Sequence, residues 1–164
     1  MAEIGDVLDV AKLDPSFCDE VAAQPGGEHV RRCYACGTCV AGCPVSEVSS
    51  EFSPRRVIRQ ILFGMREEVL SSPAIWTCLV CYRCHVHCPQ GVNFPDIMRA
   101  VRYLAIRGEY APPDAAERLA EIDLAAQKER VELIHSQLSE AFAEFAERRA
   151  SSAKGAADDE EESA

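Results

Sequence analysis

The sequence is short of several things that would assign it a familiar role. It has one tryptophan, and aromatics make up only 7% of the chain. No apolar run approaches the ~18–20 residues of a membrane-spanning helix, so a helical span is excluded. No stretch alternates apolar and polar residues as a half-buried strand does. Gly-x-Gly-x-x-Gly ahead of a helix is missing, which argues against a dinucleotide or flavin fold. Gly-x-x-x-x-Gly-Lys-Ser/Thr is missing too, which argues against a phosphate-binding loop. No signal-peptide pattern opens the sequence, so a reducing, cytoplasmic setting is expected. No nucleophile and base are arranged in a way that points to catalysis by this chain.

Charge is unevenly spread. The net charge of −10 divides into −6 over residues 1–28, +4 over residues 29–110 and −8 over residues 111–164. The middle holds ten arginines and no lysine. An acidic chain without a basic tail is a poor nucleic-acid binder, so no nucleic-acid partner is expected.

What the chain does have is cysteine. Eight of its nine cysteines fall in two runs, Cys33-Tyr-Ala-Cys36-Gly-Thr-Cys39-Val-Ala-Gly-Cys43-Pro44 and Cys78-Leu-Val-Cys81-Tyr-Arg-Cys84-His-Val-His-Cys88-Pro89. Both read C-x2-C-x2-C-x3-C-P, the bacterial-type signature of a [4Fe–4S] cluster. Three close thiolates take three iron corners, and the fourth corner needs a ligand from elsewhere. In two-cluster proteins the fourth cysteine of each run serves the other cluster. Crossed ligation is therefore expected: Cys33, Cys36, Cys39 and Cys88 on one cluster, and Cys78, Cys81, Cys84 and Cys43 on the second. Structural zinc takes four ligands, commonly as two pairs, and fits three cysteines plus a Cys-Pro poorly. Disulfides fit a cytosolic chain less well still. The middle arginines are placed to offset cluster charge, with Arg31, Arg32, Arg55, Arg56, Arg59 and Arg83 as candidates. A second use for them is docking an acidic partner. His85 and His87 flank the end of the second run. They are candidates for tuning a cluster, although gap filling accounts for them as well.

The remaining sequence reads as helix. Asp14-Pro15 looks like an N-cap and first helical residue, opening a helix to about Ala23. Cys18 on it reads as a small buried hydrophobe. Ser53-Pro54 starts a helix with Val57, Ile58, Ile61 and Leu62 on one face, stopped at Gly64. A shorter helix is expected over Arg66 to Leu70. Ser72-Pro73 repeats the start signal and leads to Trp76, a candidate cluster cover that ordinary core packing accounts for equally well. The helix from Pro95 ends at Gly108. From Pro113 to about Arg149 nothing breaks a helix, and Leu124, Val131, Ile134, Leu138, Ala141 and Phe145 follow a heptad-like seam. The acidic end is expected to be disordered. The expected organisation is a leader over residues 1–28, a two-cluster domain over 29–110, a docking helix over 111–150 and a tail over 151–164. The fold class is all-α.

Residues 24–110 resemble the C subunit of heterodisulfide reductase. The likeness rests on Pro25-Gly26-Gly27-Glu28, the Gly37-Thr38 inside the first run, Ser53-Pro54-Arg55-Arg56, Trp76 two residues before Cys78, and the Pro95 helix. The resemblance implies an α-helical ferredoxin-like fold with two [4Fe–4S] clusters. It implies an electron relay between a flavin-containing A subunit and a catalytic B subunit, whose Cys-Cys-Gly motifs serve the reduction of a disulfide such as CoM-S-S-CoB. It also implies a place in an electron-bifurcating assembly fed by a hydrogenase or formate dehydrogenase. Cys-Cys-Gly is absent here, so this chain is expected to carry electrons without binding the disulfide. Two alternatives stay open. One is the iron–sulfur subunit of a glycolate-oxidase, succinate-dehydrogenase or quinone-linked enzyme. The other is a zinc-stabilised interaction module.

Overall fold

The computed structural model describes residues 10–162, with side-chain surroundings for residues 10–150; the first nine residues of the expected leader lie outside it. All regular structure among the described residues is helical. The helices are α1 (Phe17–Ala22), α2 (Thr38–Ala41), α3 (Pro44–Val48), α4 (Pro54–Leu62), α5 (Arg66–Leu70), α6 (Arg83–Val86), α7 (Phe94–Arg107) and α8 (Ala115–Glu162). Short 3₁₀ turns cover Val10–Lys12, Val30–Arg32 and Pro73–Thr77.

Local sequence accounts for most boundaries. Ser53 caps α4 by accepting a hydrogen bond from the Arg56 N–H, and Pro54 sits where no N–H is needed. Gly64 ends α4 in a left-handed conformation, φ 75°. Its N–H bonds to the Ile61 carbonyl and that of Met65 to the Gln60 carbonyl, which completes a Schellman motif. A Cβ on Gly64 would also lie 2.2 Å from the Asp14 carbonyl oxygen. At the end of α7 the left-handed residue is Glu109, φ 61°, one position beyond the expected Gly108. Ser72-Pro73 opens a 3₁₀ turn rather than an α-helix, because extended Cys78 follows after five residues.

The start of α1 is displaced from expectation. Asp14 is not the N-cap: its Oδ1 accepts from the N–H and hydroxyl of Ser16, forming a turn that delays the helix to Phe17. Nor is the described part of the leader separate from the domain. Phe17, Cys18 and Val21 are buried in the core, and α1 lies against α4 and α7. Complete burial of an aromatic or branched side chain is worth about 1.5–3 kcal/mol, enough to bind α1 to the domain. The core is completed by Val57, Ile58 and Ile61 of α4, Val69 and Leu70 of α5, and the inner face of α7 from Ile97 to Ala105.

The chain divides into two compact units, residues 1–115 and 116–164. In the second, α8 does not stop near Arg149 but continues to Glu162, so the expected disordered tail is helical to that residue. Ala153, Lys154, Ala156, Ala157 and Glu160–Glu162 favour helix, and one glycine costs only about 1 kcal/mol without a proline to break the ladder. Leu124, Val131, Leu138 and Phe145 of the seam remain about half exposed, at 55, 48, 48 and 53%. No described helix is long and apolar enough to cross a membrane.

Candidate metal centre

The two cysteine runs adopt the same backbone path. Each begins with an extended cysteine following a 3₁₀ turn, Cys33 in the first and Cys78 in the second. The second and fourth residues after it are left-handed: Ala35 and Gly37 at φ 60° and 92°, Val80 and Tyr82 at φ 50° and 62°. Gly37 and Tyr82 then cap the one-turn helices α2 and α6, which carry Cys39 and Cys84. Left-handed residues turn successive N–H groups toward one side, the arrangement that holds an anion. The Ala35 N–H donates to Cys33 Sγ over 3.4 Å, and the Val80 backbone donates in the same way to the Cys78 thiol. Glycine takes a positive φ freely, whereas a β-branched residue such as Val80 takes it only under strain.

α2 and α6 pack on each other and bring the runs side by side. Two cavities result. Cys33, Cys36, Cys39 and Cys88 line the first. Cys43, Cys78, Cys81 and Cys84 line the second. Cys84 and Phe94 line both, so one wall separates them. Phe94 is fully buried against Phe52, with ring centroids 6.2 Å apart. Arg55 and Ile58 add to the first cavity, Arg83 and Pro54 to the second. Cys18 stays in the helical core.

The thiols feel one another. Burial, then the neighbouring Cys33 and Cys36 sulfurs, pushes Cys39 up to about 11. Burial, followed by Cys78 and Cys81, pushes Cys84 up to about 12. Cys36 goes the other way, lowered first by the Thr38 hydroxyl, 3.3 Å from its sulfur. Thiols crowded so closely do not ionise together without a cation to offset the charge, and metal binding supplies it. Among the described residues, no three His, Cys, Asp or Glu side chains close on one point as a single metal ion requires. Sulfurs ringed around a cavity suit a cluster whose iron corners each take one thiolate.

Several contributors were not legible in the sequence. Arg102 of α7 donates to the carbonyls of Ile75, Trp76 and Cys78, the last over 2.7 Å. It thereby holds the start of the second run, 24 residues away in the chain. Asp96 fixes the left-handed Tyr82 by accepting its hydroxyl proton over 2.8 Å, and Arg99 contacts both. Trp76 lines neither cavity; its ring lies beneath Arg102. His85 is tied to the Val92 carbonyl and His87 is exposed, and neither lines either of the two cysteine cavities. Among the arginines expected to offset cluster charge, Arg31 instead pairs with Asp19 at 2.5 Å.

Residues 29–92 match the model of the 4Fe–4S dicluster domain family. The chain carries a two-cluster ferredoxin-type domain. It is 31% identical over 108 residues to the C subunit of the H(2):CoB-CoM heterodisulfide,ferredoxin reductase of Methanothermobacter thermautotrophicus, covering 66% of this chain and 57% of that one. It is 35% identical over 105 residues to the iron-sulfur C subunit of the CoB--CoM heterodisulfide reductase of Methanopyrus kandleri, 60% of this chain and 54% of that one. It is 36% identical over 115 residues to the C2 subunit of the H(2)/formate:CoB-CoM heterodisulfide,ferredoxin reductase of Methanococcus maripaludis, 65% and 61% of the two chains. The chain thus spans 54 to 61% of the length of these relatives. The donor set and the dicluster family agree on two [4Fe–4S] clusters as its cofactors.

Proposed function

We propose that this chain is the electron-relay component of a cytoplasmic heterodisulfide-reductase-type complex, passing electrons between a flavin-containing A subunit and a catalytic Cys-Cys-Gly B subunit. The observation that carries the reading is the pair of cysteine-lined cavities divided by a wall of Cys84 and Phe94. Two redox centres on either side of one side-chain layer are arranged to hand electrons across. The clusters supply the one-electron chemistry. The chain supplies their position, the backbone N–H groups aimed at sulfur, and Arg55 and Arg83 beside the cavities to offset charge. We assign Cys33, Cys36, Cys39 and Cys88 as ligands of one cluster and Cys78, Cys81, Cys84 and Cys43 as ligands of the other. Catalysis belongs to the partner, and a hydrogenase or formate dehydrogenase feeds the larger assembly. The half-exposed seam of α8 supports a role for that helix in docking on another protein of the complex.

Purification of the native complex, with identification of its component proteins and metals, tests this. The expected result is about eight iron and eight sulfide per chain, together with a large flavoprotein and a Cys-Cys-Gly protein. A membrane cytochrome in their place would favour a quinone-linked enzyme. Zinc without labile sulfide would refute the cluster reading. The ligand sets are tested by EPR: Cys88→Ala should damage the same cluster as Cys36→Ala, and Cys43→Ala the same cluster as Cys81→Ala.

A further inference from the structure

The outer face of α4 carries a second feature that the cysteine cavities do not use. Arg55, Arg56 and Arg59 stand exposed on it, opposite the buried Val57, Ile58 and Ile61. With Gln60 and Phe63 they line an open groove. Among the described residues none of the three guanidiniums meets a carboxylate. Arg56 is steadied by the backbone carbonyls of Ser50 and Glu51, which leave its charge uncompensated. Arg59 lies 5.1 Å above the ring of Phe63, itself half exposed.

Arg55 belongs to both places. It lines the groove and the first cysteine cavity, and its Nη1 lies 3.4 Å from where a Cβ on Gly37 would be. Arg55 therefore forms a wall shared by the groove and the cavity of Cys33, Cys36, Cys39 and Cys88. Cys36 on that side is exposed.

We infer that this groove is the docking surface for an acidic redox protein, which exchanges electrons with the chain through the first cavity. Three cations without carboxylate partners, beside an exposed aromatic ring, match the arginine and aromatic enrichment of protein interfaces. An open surface suits a protein edge better than a small anion, which is gripped by converging donors. Clustered cations also steer an acidic partner toward the nearest redox centre before contact, an effect that salt removes. The exchange is a one-electron transfer: the reduced partner is oxidised by one electron, the cluster of the first cavity is reduced by one, and no bond is made or broken. The inference deepens the relay reading and rests on it.

The test uses the full chain with both clusters and, as probe, a small acidic [4Fe–4S] ferredoxin in its oxidised state. Binding is measured by calorimetry at low and high salt. The variants are Arg55→Gln with Arg59→Gln and, as an equal-charge control on α8, Arg130→Gln with Arg149→Gln. The groove variant should bind about tenfold more weakly at low salt, with the difference closing at high salt, while the control stays near the parent. Iron content should be unchanged in every variant, and both EPR signals unchanged in the control. Since Arg55 lines a cavity, Arg56→Gln with Arg59→Gln repeats the test without touching the cavity wall. Equal weakening by the control, or no weakening in either groove variant, would overturn the groove. So would a duplex oligonucleotide that binds more tightly than the ferredoxin and is lost with the same arginines. Absence of the iron of two clusters would defeat the relay reading instead, so the two failures are distinguishable.

Discussion

Arg66 at the start of α5 reaches across the fold to Asp14, its Nε 2.6 Å from Oδ2, and also bonds Glu20 of α1. The same guanidinium lies 4.9 Å above the ring of Phe17. The Asp14 N–H in turn donates 2.7 Å to the Gly64 carbonyl, so both backbone and side chain of Asp14 hold the leader to the α4–α5 corner.

Arg66→Met should therefore loosen α1 as well as α5. Charged hydrogen bonds contribute about 1.5–3 kcal/mol each when partly buried, and exposure of Asp14 and Glu20 places the expected loss near the low end. Faster loss of cluster absorbance in denaturant, with normal initial iron content, is the readout.

The Ser16 hydroxyl foremost, and then Arg66, lower Asp14 from 3.8 to about 2. A depressed carboxyl stabilises the fold above its unfolded value and loses that contribution as pH falls through the folded one. The stability deficit of Asp14→Asn should be constant from neutral pH down to about 4 and shrink below that. A deficit that varied between neutral pH and about 5 would assign the effect to another group.

Gly64→Ala should cost well over the roughly 1 kcal/mol of a left-handed alanine, because its Cβ collides with backbone and not with a mobile side chain. Denaturant midpoints compare it with Ala35→Gly, which relieves a positive φ of 60° and should be neutral or stabilising.

Arg102→Met removes three bonds to the strand of chain leading into Cys78. The expected outcome is selective: the EPR signal of the second cavity's cluster weakens or broadens while the other persists. Equal damage to both signals would mean that Arg102 supports the domain as a whole.

Deletion from Pro112 onward tests α8. Both clusters should remain, since every cysteine lies in the first unit, while assembly with the partner proteins fails. Intact assembly would remove the docking role.

The sequence is informative where the cause is local. Ser53-Pro54 and Gly64 mark the ends of α4 through backbone groups a few residues apart, and the structure uses them so. The cysteine spacing likewise carries the cluster chemistry in twelve-residue runs. It is uninformative where the cause is distant. Nothing near Phe17 or Cys18 says that α4 and α7 will cover them. Arg102 is one of ten arginines in the middle of the chain, and only folding singles it out to hold Cys78. Acidic composition misleads about the extent of α8, which an unbroken run of helix-tolerant residues decides.

The two cavities also constrain how the protein is made. The first lacks a sulfur until Cys88 has been synthesised, and the second, though begun at Cys43, waits for Cys78, Cys81 and Cys84. A ribosome halfway through the domain has produced no complete cage of either kind. A chain interrupted between the runs therefore holds no full set of four sulfurs for either cavity.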